Sequence, residues 1–417
     1  MNPVLLSWSI ALAATAGVIL RPFRWPEAIW AVAGAALLVA LGLLPAHLAW
    51  QAIGKGTDVY LFLIGMMLLS ELGRREGLFD WIAALAVNHA RGSPRRLFVL
   101  VYLVGVVVTT FLSNDATAVV MTPAVFVAAR KADMKPLPLL YVCAFIANAA
   151  SFVLPISNPA NLVLYENRTP ALALWVGRFE LPSVLSIVAT FVMLRWTQLQ
   201  SLDGRCARDL PVEPLSTNGK VALAGISVTA VALLTVSAFD LQLGLPTAVF
   251  GILTALVVLV KERQSPLELV SEISWSVLPL VAGLFVLVEM LNHTGVIHEL
   301  AQLISIATRQ NQPLTAAISG LLVAIGSNAI NNLPAGLIAS ATALTANSPE
   351  TVIDALLIGV DLGPNLSITG SLATILWLAA IRREGEEVSF MQFSRIGVIV
   401  MLPALVLALG ARLIAGH

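Results

Sequence analysis

Thr110 to Pro123, TFLSNDATAVVMTP, places Ser113-Asn114-Asp115 inside an otherwise apolar stretch long enough to cross a bilayer. An ionised carboxylate at that depth is costly, so its presence points to function rather than accident. A second polar interruption, Ser327 to Pro334 (SNAINNLP), comes about half a chain later and sets Asn331-Asn332 against Asn114-Asp115. Two matched breaks in two matched halves are the pattern of a transporter with a central site near the bilayer midplane.

Composition supports that reading. With 58% hydrophobic and 12% charged residues in 417, and a mean hydropathy of +0.89, the chain has too little polar surface for a water-soluble globule. An all-α polytopic membrane protein is expected. The 24 Lys and Arg balance the 24 Asp and Glu, so net charge gives no reason to expect a nucleic-acid partner. Cys143 falls in an expected span and Cys206 in a loop, which predicts free structural thiols rather than a disulfide or a zinc site. Val4 to Leu20 lacks a basic leader and an A-x-A-like end and reads as a retained span.

Taken in order, Val4 to Leu20, Ala28 to Leu44 and Val59 to Leu72 are three crossings. Leu78 to His89 has one apolar face and suits an interfacial helix. Residues 97–129 read as a re-entrant hairpin with its tip at Ser113-Asn114-Asp115. Residues 137–165 read as one helix broken in the membrane at Pro155 to Pro159, since prolines remove backbone donors. Pro182 to Met193 completes a first repeat over residues 1–200, and residues 201–219 form a cytoplasmic linker. The second repeat, 220–417, holds a hairpin at 313–346 and a broken helix at 352–381.

The repeat can be checked residue against residue. Trp25-Pro26-Glu27-Ala28 matches Leu245-Pro246-Thr247-Ala248, Glu71 with Gly77 matches Glu289 with Gly295, Asn148 matches Asp361, and Phe179 matches Phe393. The spacing between partners drifts slowly, as one duplicated unit with small loop changes requires. Each unit holds five crossings, including the broken helix, plus the hairpin. An odd number of crossings turns the second unit over, so inverted repeats are expected, with both termini on one side. Only Lys55, Arg168, Arg178, Arg309 and Arg412 fall on the side of the termini. The other Lys and Arg share the opposite side, which the positive-inside rule assigns to the cytoplasm.

TFLSNDATAVVMTPAV, GSNAINNLPAGL and above all GVDLGPNLSITGSLATILW (Gly359 to Trp377) closely resemble the arsenite/antimonite efflux permeases, the ArsB family of the ion-transporter superfamily. The resemblance runs over nearly the whole chain. The hairpin signature is shared with sodium/proton antiporters and with citrate and dicarboxylate carriers, whereas the Gly359 to Trp377 segment is the specific part. The resemblance implies a ten-crossing fold in the cell inner membrane with two hairpins and two broken helices. It also implies export of arsenite or antimonite in exchange for protons, in some members with an arsenite-stimulated ATPase on the cytoplasmic face. No cofactor is expected.

Read independently, Asp115 and Asp361 without a nearby Arg or Lys disfavour a citrate or dicarboxylate anion. A neutral or cationic solute fits better. Arsenous acid is uncharged at pH 7 and carries three hydroxyls that amides and hydroxyls can bind. Expected substrate contacts are Ser113, Asn114, Asn158, Asn161, Asn331, Asn332, Asn365 and Ser371, while Asp115 and Asp361 are the expected proton carriers. The Asn residues could equally satisfy backbone freed at the breaks, and both roles are compatible. Cys143 reads as a small buried hydrophobe, and Glu71 and Glu289 as ion-paired interface residues. Trp25, Trp30, Trp50, Trp81 and Trp175 read as an interfacial belt. Two alternatives stay open: sodium/proton antiport on the same fold, and an intramembrane aspartyl protease using Asp115 and Asp361. The protease leaves the repeat unexplained, and Gly359-Val360-Asp361 is not Gly-x-Gly-Asp.

Overall fold

The computed structural model describes residues 3–165, 169–207, 210, 213–262 and 266–415, with the side chains of Arg24 and Glu262 excluded. Arg168, Arg208 and Arg263, which belong to the charge count, lie outside the described residues. Among the described residues every regular element is helical. Seven helices are long and apolar enough to cross a membrane, or up to nine if each of two bent pairs is one span. The bent pairs are Ala46–Lys55 with Thr57–Arg75 and Pro266–Glu272 with Val277–His293, each turning by 47°. The chain is a multi-pass membrane protein.

The element order of the first half recurs in the second, and so do the packing partners. Thr57–Arg75 lies against Gly244–Glu262, and Glu27–Ala40 lies against Val277–His293. Small residues allow these approaches: a Cβ on Gly65 would enter the Thr247 backbone, and one on Gly283 would enter the Ala31 backbone. Close backbone contact of this kind is how helices associate where lipid gives no hydrophobic drive. A second group of helices packs around Leu172–Thr197 and Phe390–Ala415, which lie side by side. Pro94–Phe111 packs on Leu137–Ala149, and Gln312–Ile330 on Glu350–Leu362.

After Phe111 the chain turns back on itself. Thr109 and Thr117 share a hydroxyl hydrogen bond of 2.8 Å, and the return limb is helical over Asn114–Ala116 and Thr122–Lys131 with a π-turn at Thr117–Met121 between them. Pro123 supplies no N–H to the carbonyl one turn earlier, so the wider π-turn falls where an α-turn would lose its bond. In the second half Gln312–Ile330 ends at Asn331, whose φ of +74° is a left-handed conformation rare outside glycine, and Asn332–Thr345 returns along it. Such strain concentrates at functional turns.

Both long elements that follow the turns are interrupted. Leu137–Ala149 gives way to an irregular stretch before Pro159–Tyr165, and Glu350–Leu362 to one before Leu372–Arg383. One expectation fails in the core. Trp175 is fully buried, its indole N–H donating to the Phe152 carbonyl at 3.1 Å, and its ring lies 4.7 Å from Phe179. It is a packing residue rather than part of a belt, because its helix turns that face to the neighbouring helices and not to lipid. Trp25 and Trp50 are exposed.

Candidate functional site

The two turns and the two breaks converge. Asn114 and Asp115 from the first turn, Asn332 and Leu333 from the second, Asn158 and Pro159 from the first break and Leu372 and Ala373 from the second line one small cavity of about 10 Å³. It adjoins a larger cavity of about 100 Å³ that shares Asp115, Pro159 and Leu372 and extends past Ser113, Ser70 and Ser274 to Glu71 and Glu272. Among the described residues no Lys, Arg or His lines either one.

Each polar side chain there has a traceable local origin. Ser113 caps the return limb, its hydroxyl accepting from the Ala116 N–H at 3.2 Å, as N-cap serines do. Asn114 accepts from the Asp115 N–H at 2.9 Å. Asp115 is half-buried, and among the described residues no cation lies within ion-pair distance of it. Asn332 is held through its backbone N–H, which donates to Gly370 O at 2.8 Å. Its side-chain Oδ1 is buried without a hydrogen-bond partner among the described residues. Asn331 accepts from the Leu333 N–H at 3.3 Å and borders a separate small cavity with Glu27 and Pro334.

Other expected contacts are occupied with the scaffold. Asn161 donates to the carbonyls of Ser151, Leu154 and Pro155 at 2.8, 3.2 and 3.4 Å, which satisfies the backbone freed by the first break; its Oδ1 has no partner among the described residues, but the residue lines neither cavity. Asn365 donates to Phe145 O at 3.0 Å and accepts from Asn148 Nδ2 at 3.0 Å. Ser371 caps Leu372–Arg383 and donates to Asn148 Oδ1 at 3.3 Å. Asn158 does both: its Oδ1 accepts from the Ala160 N–H at 3.0 Å, while its Nδ2 donates to Asp361 Oδ1 at 2.8 Å. Asp361 is fully buried and lines neither cavity. Cys143 is also fully buried, with its thiol directed at the Leu139 carbonyl.

Several residues escaped the sequence reading. Asn328 links the second turn to the second break, donating to Ala324 O at 2.8 Å and Gly363 O at 2.9 Å and accepting from Ser367 at 2.7 Å. Its place within SNAINNLP was the available signal. Glu71 is ion-paired, as expected, with Arg74, but it also lines the cavity that reaches Asp115. Glu272 joins it from a distant segment. Asp354, fully buried, accepts from Arg412 Nε at 2.7 Å and from the Tyr165 hydroxyl at 2.5 Å. No local pattern marks that pair.

With this geometry in place, comparison with known proteins is informative. A family model described as CitMHS, citrate transporter, matches residues 10–360. An uncharacterized transporter of Mycobacterium tuberculosis is 26% identical over 416 residues, covering 96% of each chain. The arsenical pump membrane protein of Escherichia coli K12 is 26% identical over 396 residues, covering 91% of this chain and 92% of that one. Among solved structures, the Alcanivorax borkumensis YdaH transporter superposes with a TM-score of 0.58 at 15% identity, covering 99% and 98% of the two chains. The likeness to that structure shows a shared fold, and the match over residues 10–360 shows that this chain belongs to the CitMHS family of membrane transporters.

Proposed function

We infer that the protein exports trivalent arsenic or antimony from the cytoplasm as the neutral hydroxide, in exchange for protons, through a cell inner membrane. The observation that carries this reading is the set of groups presented by the adjoining cavities. Among the described residues Asp115 lacks a paired cation, Asn332 Oδ1 lacks a donor, and no basic side chain lines the walls. Such a site has acceptors to spare and calls for a ligand that donates hydrogen bonds. Arsenous acid offers three O–H groups and no charge, whereas a tricarboxylate would bring negative charge towards Asp115, Glu71 and Glu272. The likeness to an arsenical pump membrane protein along nearly the full length supports the same choice.

Coupling follows from the substrate's neutrality. A neutral solute gains nothing from membrane potential, so uphill export needs a charged co-substrate. One proton moving through 100 mV supplies about 2.3 kcal/mol, roughly a 50-fold gradient. Asp115 is the first candidate to carry it because it faces the cavity, and Asp361 is the second. In this reading the halves are inverted repeats with both termini outside, the turns at 97–129 and 313–346 are re-entrant, and Glu71 and Glu272 border the cytoplasmic mouth.

Everted vesicles test the proposal directly. Arsenite should accumulate when a pH gradient is imposed and should equilibrate without one. Accumulation of sodium or citrate in place of arsenite would overturn it, the first in favour of sodium/proton antiport and the second in favour of carboxylate transport.

A further inference from the structure

Glu71 and Glu272 meet a single guanidinium at the mouth of the cavity that holds Asp115. Arg74 Nε donates to Glu71 Oε1 and Oε2 at 2.9 and 3.1 Å, and Arg74 Nη2 lies 2.6 Å from Glu272 Oε2. The neighbouring cation, Arg75, is engaged by Glu268 at 3.0 Å. Among the described residues the mouth therefore has two carboxylates for one available cation. Glu71 is the inner of the two, with 12% of its side chain exposed against 44% for Glu272.

The opposite end of the scaffold makes a useful contrast. By chain position Glu289 corresponds to Glu71 and Lys55 to Glu272, and these counterparts form a one-to-one pair of 2.9 Å. Glu289 lines neither cavity. In the inverted-repeat reading above, a neutralised pair thus sits at one end and an under-neutralised one at the other, on the side where the cavity reaches Asp115.

Between Asp115 and Glu71 the walls carry the hydroxyls of Ser113, Ser70 and Ser274 around a volume of about 100 Å³. That is room for several waters, each needing an estimated 10–15 Å³ and two or more polar partners. We propose that Glu71, backed by Glu272, is the proton relay between Asp115 and the aqueous phase at this mouth. The step breaks the O–H of the Asp115 carboxyl and forms one on cavity water, which passes a proton to Glu71. The Glu71–Glu272 pair then releases a proton to bulk water, so each O–H lost is replaced by one formed and no electron moves. The charged groups facing Glu71 are Arg74 from its own helix, Glu272 across the mouth and Asp115 across the cavity, with the Arg75–Glu268 pair beyond. The relay rests on the proton-coupled reading above and assigns a residue to it.

The test follows proton release from Asp115 rather than substrate flux. The full-length protein in detergent is subjected to a rapid rise in pH, and the infrared carboxyl band absent from Asp115→Asn is timed. Glu71→Gln should slow its loss by about tenfold or more, Glu71→Asp should restore most of the rate, and Glu289→Gln should leave it unchanged. Loss at the wild-type rate in Glu71→Gln overturns the relay alone. Absence of any titrating Asp115 band in the wild type overturns both the relay and Asp115 as proton carrier.

Discussion

Asn158 donates its side-chain amide to Asp361 Oδ1 at 2.8 Å, joining the first break to the helix before the second. The counterpart residues make the reciprocal contact, Ser371 donating to Asn148 Oδ1 at 3.3 Å. Only one of the two equivalent contacts contains a carboxylate, and its second oxygen, Oδ2, has no partner among the described residues.

That asymmetry predicts how Asp361 tolerates change. Asp361→Asn keeps an oxygen for Asn158 and should leave thermal stability in detergent within about 1 kcal/mol of wild type, whereas Asp361→Leu strands a buried amide and should cost about 1–3 kcal/mol. Equal melting behaviour of the two variants would mean that the contact does not hold the breaks together.

The asparagines should separate into two classes. Asn161→Ala removes one amide from three carbonyls and is expected to destabilise the protein by about 1–3 kcal/mol. Asn332→Ala removes a cavity-lining oxygen that has no partner among the described residues, so melting should change little while half-saturation by arsenite rises about fivefold, near 1 kcal/mol of binding. A stability loss in Asn332→Ala as large as that in Asn161→Ala would place Asn332 with the structural group.

Cys143 offers a test of how arsenic is held. Its buried thiol faces the Leu139 carbonyl and lines neither cavity, so Cys143→Ala should retain most arsenite export in vesicles. Collapse of export in this variant, with Asn114→Ala and Asn332→Ala active, would mean sulfur coordination instead.

Asp115→Asn should abolish accumulation driven by a pH gradient while downhill arsenite exchange continues, because the substitution removes the titrating group and keeps the side chain's shape. Vesicles carrying Asp115→Asn that concentrate arsenite as wild type does would shift proton carriage to Asp361.

Away from the site, the Arg412–Asp354 pair is a stability determinant. Arg412→Met leaves a fully buried carboxylate with the Tyr165 hydroxyl and with Arg178 at 3.9 Å, and should cost about 3–5 kcal/mol. The double variant Arg412→Met/Asp354→Leu should recover much of that loss in the same melting measurement. No recovery would show that Tyr165 and Arg178 depend on the Asp354 charge.

Hydropathy and polarity are local properties, so the sequence by itself determined the membrane class, the polar turns at Asn114-Asp115 and Asn331-Asn332, and the interruptions near Pro155 and Pro364. A proline or a carboxylate in an apolar run means the same whatever lies beside it. Hydrogen-bond and ion-pair partners are different, because they depend on which distant segments are brought within about 3 Å. Only the tertiary structure decided that Asn161 gives its amide to the backbone away from both cavities while Asn332 lines one of them, and that Asp361 is turned away from the cavity that Asp115 lines. It also brought Glu272 to Glu71, which are far apart in sequence, and paired Asp354 with Arg412. Trp175 follows the same rule, since the sequence gives an amphipathic ring at a helix start but the packing of Leu172–Thr197 chooses which side of that helix meets protein.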